Sequence, residues 1–138
     1  MGQTEEKYVR ETIRKLRLKP RKGRFMYFDR PSGKQLTFDW DGAGVDANHL
    51  IVLIEAEIGE ISDWHIQTHI SRLAVMINQG TPIKKIVWIT NQGTFQVLKN
   101  IIDSWLAFFN PVCRIALPFM EYRTPNGELL NPSASYGP

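Results

Sequence analysis

The chain has 138 residues, 43% hydrophobic and 22% charged, with a formal net charge of +3. That length suits one domain around one core, the composition excludes a low-complexity or disordered class, and no apolar run is long enough for a membrane span. A single cysteine, Cys113, excludes an internal disulfide; the charged N-terminus does not have the form of a signal peptide, so a cytoplasmic home is expected.

The charge is unevenly spread. Residues 1–34 hold 11 Lys/Arg against 4 Asp/Glu, a local net of +7. Residues 35–63 hold seven acids and no Lys or Arg. A basic stretch beside a dense acidic one suits a polyanion partner together with divalent cations, and equally a solvated helix followed by acidic loops.

In chain order, Glu5 to Leu18 places Val9, Ile13 and Leu16 at helical spacing. Thr4 is a candidate N-cap, and Pro20 and Gly23 close the segment. "RFMYF" reads as a strand followed by the turn "DRPSGK". In "LTFDWDG", Leu36, Phe38 and Trp40 alternate with Thr37, Asp39 and Asp41, and Gly42 and Gly44 are expected to end the strand. "LIVLIEAEI" is apolar on both faces at its start, as a central strand requires. These three strands predict an antiparallel meander.

Ser62 or Asp63 then caps a helix of about 17 residues with Ile66, Ile70, Leu73 and Ile77 inward. "KKIVWIT" is a buried strand, and a helix follows from about Thr94 to Phe109, stopped by Pro111. "VCRIALP" (Val112–Pro118) is expected as a last strand in a parallel crossover. The order predicts an α/β fold, a mixed central sheet with helices on both faces. Residues 1–122 form the domain, and the Pro- and Gly-containing tail 123–138 is expected to be irregular.

The chemistry concentrates where the third strand ends. On a strand Glu55 and Glu57 share a face, about 6.6 Å apart along the chain. At ~7 Å and an effective dielectric of ~20 two carboxylates repel by about 2.4 kcal/mol. A wet strand end, a shared proton or a bound cation relieves this. Asp41, at the end of the preceding strand, joins them if the two strands pair, with Asp39 as its rival. Three oxygen donors and no soft ligand suit Mg²⁺ or Mn²⁺.

An Asp beside Gly ("FDWDG"), an E-x-E about 14 residues on at the end of an apolar strand ("IEAEI"), and a helix after it resemble the PD-(D/E)xK, restriction-endonuclease-like nuclease superfamily. The resemblance covers roughly residues 5–91 and includes its αβββαβ core order. It implies a Mg²⁺-dependent (or Mn²⁺-dependent) endonuclease acting on DNA, often as a homodimer. Asp41 and Glu55 are then metal ligands, Glu57 stands where the family usually has Lys, and Trp40 replaces its Pro. Some members keep activity with E-x-E, and others serve as non-catalytic binding domains. Gln67, opening a "Q-x-x-I-x-x-L" pattern on the following helix, matches a supporting site residue in several nuclease branches.

Other residues carry weaker signals. His65 and His69 lie i, i+4 on the second helix and are neighbours there. They suit phosphate or water at the rim of a cleft, or a transition metal. A zinc-protease motif is excluded because Ile66, not Glu, follows the first His. Arg14, Lys15, Arg17, Lys19, Arg21, Lys22 and Arg24 are the candidate phosphate contacts. Trp64, Trp88 and Trp105 are expected to pack in the core or an interface, and Tyr27 and Phe28 to be buried. Three functions follow: a metal-dependent deoxyribonuclease, a non-catalytic binding domain on the same fold, and a hydrolase of another phosphorylated substrate.

Overall fold

A computed structural model describes residues 3–112 and 117–130. Its order is α1 (Gln3–Lys15), β1 (Lys19–Arg21), β2 (Arg24–Asp29), β3 (Lys34–Asp39), β4 (Gly42–Val45), β5 (Ile51–Ala56), α2 (Asp63–Asn78), β6 (Ile83–Ile89), α3 (Gln92–Phe109), β7 (Phe119–Arg123) and β8 (Leu129–Leu130). Six strands form one mixed sheet in the order β1-β4-β5-β6-β7-β8, and β2 and β3 form a separate hairpin. The protein is therefore α/β. Among the described residues no helix is long and apolar enough to cross a membrane.

β5 is central because both its faces are apolar. Val52 and Ile54 pack with Val87, Ile89 and Val9 of α1 on one side. Ile51 and Leu53 pack with Ile66, Ile70 and Leu73 of α2 and Leu98 and Ile102 of α3 on the other. Each such side chain, fully buried, stabilises the fold by about 1.5–3 kcal/mol. The period-2 alternation puts Glu55 on the α2 face, opposite α1.

The expected meander is not formed. "LTFDWDG" is broken at Trp40 and Asp41, where the Trp40 N–H donates to the Gly23 carbonyl at 2.8 Å. β3 pairs only with β2, while Gly42 begins a new strand between β1 and β5. The glycines expected to end a strand instead form one. A Cβ at Gly42 would lie 2.3 Å from Val9 Cγ1, and one at Gly44 would lie 2.6 Å from Leu18 Cβ. Their bare backbone lets α1 and the turn after it lie close on β4.

Parallel pairing of β6 with β7 agrees with the expected crossover, but the described strand is Phe119–Arg123. Most of "VCRIALP" (residues 113–116) lies outside the described residues. The sheet also continues into the expected tail, where Leu129 and Leu130 pair with β7. β1, read from sequence as a basic turn, is an edge strand, its Lys19 opposite Val45 and its Arg21 opposite Ala43.

On β6 and β7, Glu121 is held between Lys85 Nζ at 3.0 Å and Arg123 Nε at 2.7 Å. Burial raises the Glu121 carboxyl pKa, but the two cations outweigh it and bring it below the usual range. A folded-state value below the unfolded one stabilises the fold above pH ~4.5, and that stability is lost as pH falls through the folded value. Chemical denaturation should show Glu121→Gln less stable than wild type at pH 7 by about 1–3 kcal/mol, with the two curves converging as pH falls through the lowered folded-state value.

Candidate metal and phosphodiester site

The β4–β5 ladder pairs Gly42 with Ile54 and goes no further. Beyond it, side chains take over from backbone carbonyls. The Asp41 N–H donates to Glu55 Oε1 at 2.7 Å, and the Ala56 N–H donates to Asp41 Oδ2 at 2.8 Å. These reciprocal bonds stitch the bend after β3 to the end of β5. Glu55 is 1% exposed and Glu57 7%. The Glu57 N–H donates to the Ile89 carbonyl at 2.8 Å, so the chain beyond β5 is still tied to β6.

α2 begins where β5 reaches the surface. Its N-cap is Ser62, whose hydroxyl accepts from the His65 N–H at 3.3 Å. Trp105 of α3 donates its indole N–H to Asp63 at 2.9 Å and anchors the same end. The apolar stripe of Ile66, Ile70, Leu73 and Ile77 is buried as expected. It turns His65 and His69 toward the carboxylates.

His69 Nε2 lies 3.2 Å from Glu55 Oε1, and His65 Nε2 lies 3.6 Å from Glu55 Oε2 and 2.9 Å from Glu57 Oε1. The two imidazoles stand 4.3 Å apart between centroids, and Trp40 closes the far side edge-on to His69 at 4.9 Å. His69 Nδ1 donates to the His65 carbonyl at 3.0 Å, which directs Nε2 at Glu55. Close as it is to His65, Glu57 Oε1 makes no hydrogen bond and is buried.

The electrostatics follow from this crowding. Burial pushes the Asp41 carboxyl up to about 6, with the Glu55 charge adding to it. Burial likewise lifts Glu57 to about 7. Burial would raise Glu55 too, but the two histidines and the Asp41 N–H outweigh it and hold it below the usual range. Interaction with the Glu55 carboxylate, with Glu57 behind it, raises the His65 pKa. For His69, burial opposes the charge, and the Glu55 carboxylate overcomes it. Glu55 is thus the ionised centre, and the other groups are tuned around it.

One ligand atom from each of Glu55, His65 and His69 lies within 4.8 Å of the others. Metal–ligand bonds of ~2.0–2.2 Å in a tetrahedral site put ligand atoms roughly 3.3–3.6 Å apart. The observed Glu–His separations fall close to this, so the residues fit a small divalent cation. The buried oxygen of Glu57, paired with His65 at 2.9 Å, is a further donor beside it.

Not every residue singled out from sequence meets here. Asp41, Glu55 and Glu57 do, and the histidines expected at the rim are part of the cluster itself. Gln67 is two residues, about 200° of helix, from both histidines; the structure brings the histidine flank to Glu55 rather than Gln67. Asp39 is exposed and pairs with Arg24 at 2.9 Å, which leaves Asp41 as the site aspartate.

The basic run is mostly elsewhere. α1 lies across the sheet from Glu55, and Arg14 pairs with Glu11 at 2.6 Å. Lys15 donates to the Asn126 carbonyl. Arg17 and Lys19 are exposed beside the far end of β4. Only β1, running antiparallel to β4, carries the chain back toward Asp41. Arg21 there sits 4.2 Å over the Phe25 ring, and Lys22 is exposed. Trp88 is fully buried, but Trp64 is 73% exposed on the first turn of α2, next to His65, and Phe28 is 64% exposed on the hairpin. Phe28 is not the buried residue expected from sequence, because it lies on the outer face of a two-stranded ribbon; Trp64, expected in the core or an interface, is not in the core, lying one position off the apolar stripe.

Compared with protein-family models and with curated proteins, the sequence matches none.

The Gly23–Trp40 contact controls this geometry. A Cβ at Gly23 would lie 2.3 Å from the Trp40 carbonyl oxygen, a backbone atom that cannot swing aside. Gly23→Ala should destabilise the fold by about 1–3 kcal/mol in thermal or chemical denaturation. It should also displace the Asp41 N–H from Glu55, seen as a shift of that amide resonance.

Proposed function

We propose that the protein is a divalent-metal-dependent nuclease that hydrolyses DNA phosphodiester bonds. The observation that carries this reading is the meeting of Asp41, Glu55 and Glu57 at the end of two paired strands, with Glu57 buried beside His65. The E-x-E motif and the order of helix and strands support it through the resemblance to the PD-(D/E)xK superfamily.

Glu55, ionised and fully buried, is the anchor for the cation, with Asp41 beside it. A bound divalent ion supplies Lewis acidity toward the phosphate and lowers the pKa of a coordinated water. Glu57 faces the same space beside His65, so it is suited to orient an attacking water and accept its proton. It cannot offer the positive charge of the Lys it replaces. Exposed Trp64 beside His65 presents an aromatic face on which a base can stack. Arg21 at the end of the returning β1 and Lys22 just after it are the basic residues best placed to meet a backbone phosphate.

The second reading is a non-catalytic nucleic-acid or protein-binding domain. It is favoured by one observation, that four of the seven basic residues lie away from the carboxylates: Arg14 and Lys15 on α1 across the sheet, Arg17 and Lys19 by the far end of β4. Incubation of the purified chain with plasmid and linear DNA in Mg²⁺ or Mn²⁺ separates the two. Metal-dependent cleavage should appear, and Asp41→Ala and Glu55→Gln should each lower its rate by about 100-fold or more while circular dichroism stays native. DNA binding without cleavage would select the second reading. Cleavage of a small phosphate ester but of no polymer would select a different hydrolase.

A further inference from the structure

We infer that the cation of this site is a divalent first-row transition ion that accepts imidazole nitrogen, in the class of Zn²⁺, held by Glu55, His65 and His69, rather than Mg²⁺. This rests on the reading of the site as a metal centre and names its ligands and ion class.

The donor set is the first argument. Sequence alone offered three carboxylates, a set that suits Mg²⁺. The fold instead puts two imidazole nitrogens on the most deeply buried of the three carboxylates. Two histidines and one carboxylate match zinc and non-haem iron(II) sites, whereas Mg²⁺ prefers oxygen and retains waters.

The second argument is the orientation of His69. A histidine that binds a metal usually donates its other ring N–H to a carbonyl or carboxylate, which fixes the tautomer. His69 Nδ1 donates to the His65 carbonyl, so its Nε2 is aimed at Glu55. That bond costs nothing to build, because a residue four positions earlier on the helix supplies the carbonyl. The i, i+4 spacing thus provides both the second ligand and the support of the first.

The third argument is Glu57. Its side chain is more than nine-tenths buried, and its Oε1 meets His65 Nε2 at 2.9 Å as an ion pair without hydrogen-bond alignment. A carboxylate oxygen has acceptor capacity beyond one such contact. A cation between the histidines and Glu55 gives that oxygen a further partner, directly or through a bound water. Among the described residues, the ion pairs of Glu55 and Glu57 are with these histidines alone.

The test uses the full chain, stripped with chelator and dialysed. Calorimetry with Zn²⁺ and with Mg²⁺ should find one Zn²⁺ per chain, bound at least about 100-fold more tightly than Mg²⁺. His65 is half exposed, so His65→Ala should fold normally. It should weaken Zn²⁺ by about 10-fold or more and leave Mg²⁺ binding unchanged. Co²⁺ as a probe should give visible ligand-field absorption that His69→Gln abolishes and His49→Ala, a change at a distant exposed histidine, preserves. Zn²⁺ affinity in His65→Ala within about twofold of wild type, or Mg²⁺ bound as tightly as Zn²⁺, would overturn the inference; the histidines would then be ion-pair partners of Glu55 only. DNA cleavage, measured in parallel, separates the two readings. Histidine-dependent Zn²⁺ binding without cleavage sinks the nuclease and keeps the metal site. Mg²⁺-supported cleavage indifferent to both histidine substitutions does the reverse.

Discussion

The site depends on the exchange of hydrogen bonds between Asp41 and the end of β5. A sheet ladder consumes backbone donors and acceptors in pairs, and where it stops those groups need other partners. Here the Asp41 N–H goes to the Glu55 carboxylate and the Ala56 N–H goes to the Asp41 carboxylate. Each acid satisfies a buried N–H near the other. The two strand ends are locked together, and two negative charges are held close in a dry place. Everything around them answers that second consequence.

The response is graded by burial and neighbours. Glu55 keeps its charge because two imidazoles and an N–H face it. Asp41 and Glu57 have fewer such partners, and burial pushes both toward neutrality near physiological pH. A set of acids with pKa values driven apart is the usual basis for dividing ligand and proton-transfer roles within one site. The arrangement is rigid at its base, since α2 is capped by Ser62, tied to α3 through Trp105 and buried along its apolar stripe. It is open at its rim, where His65 and Trp64 reach solvent.

Glycine makes the other side possible. β4 must accept α1 on one face while Asp41 sits at its start, and only a strand without side chains at Gly42 and Gly44 lets the helix approach that closely. The same bareness made "DWDGAG" look like a strand end. Periodicity sees side chains, and a strand whose job is to be thin leaves no pattern. The hairpin of β2 and β3 stands apart from the main sheet, against the expected meander, for a related reason. Its alternation was correct, with Phe38 and Trp40 inward, but alternation does not say which strand is the neighbour. The Trp40–Gly23 hydrogen bond decides that, and it joins residues 17 apart.

The sequence by itself determined the class of fold, the central position of β5, the stripe of α2 and the accumulation of carboxylates where β5 ends. These are local properties: an apolar run buried on both faces, a 3.6-residue period, and charges one residue apart. Only the tertiary structure decided which charges meet. It turned Asp39 out to Arg24 and Asp41 in to Glu55. It chose the His65 and His69 flank of α2 over Gln67, and it carried Arg14 and Lys15 to the opposite face. The physical reason is that a residue's partner is set by helix rotation and strand register, which depend on how distant elements pack. The i, i+4 spacing of the histidines is legible in the sequence; that they stand over Glu55 and Glu57 follows from the packing of α2 on β5.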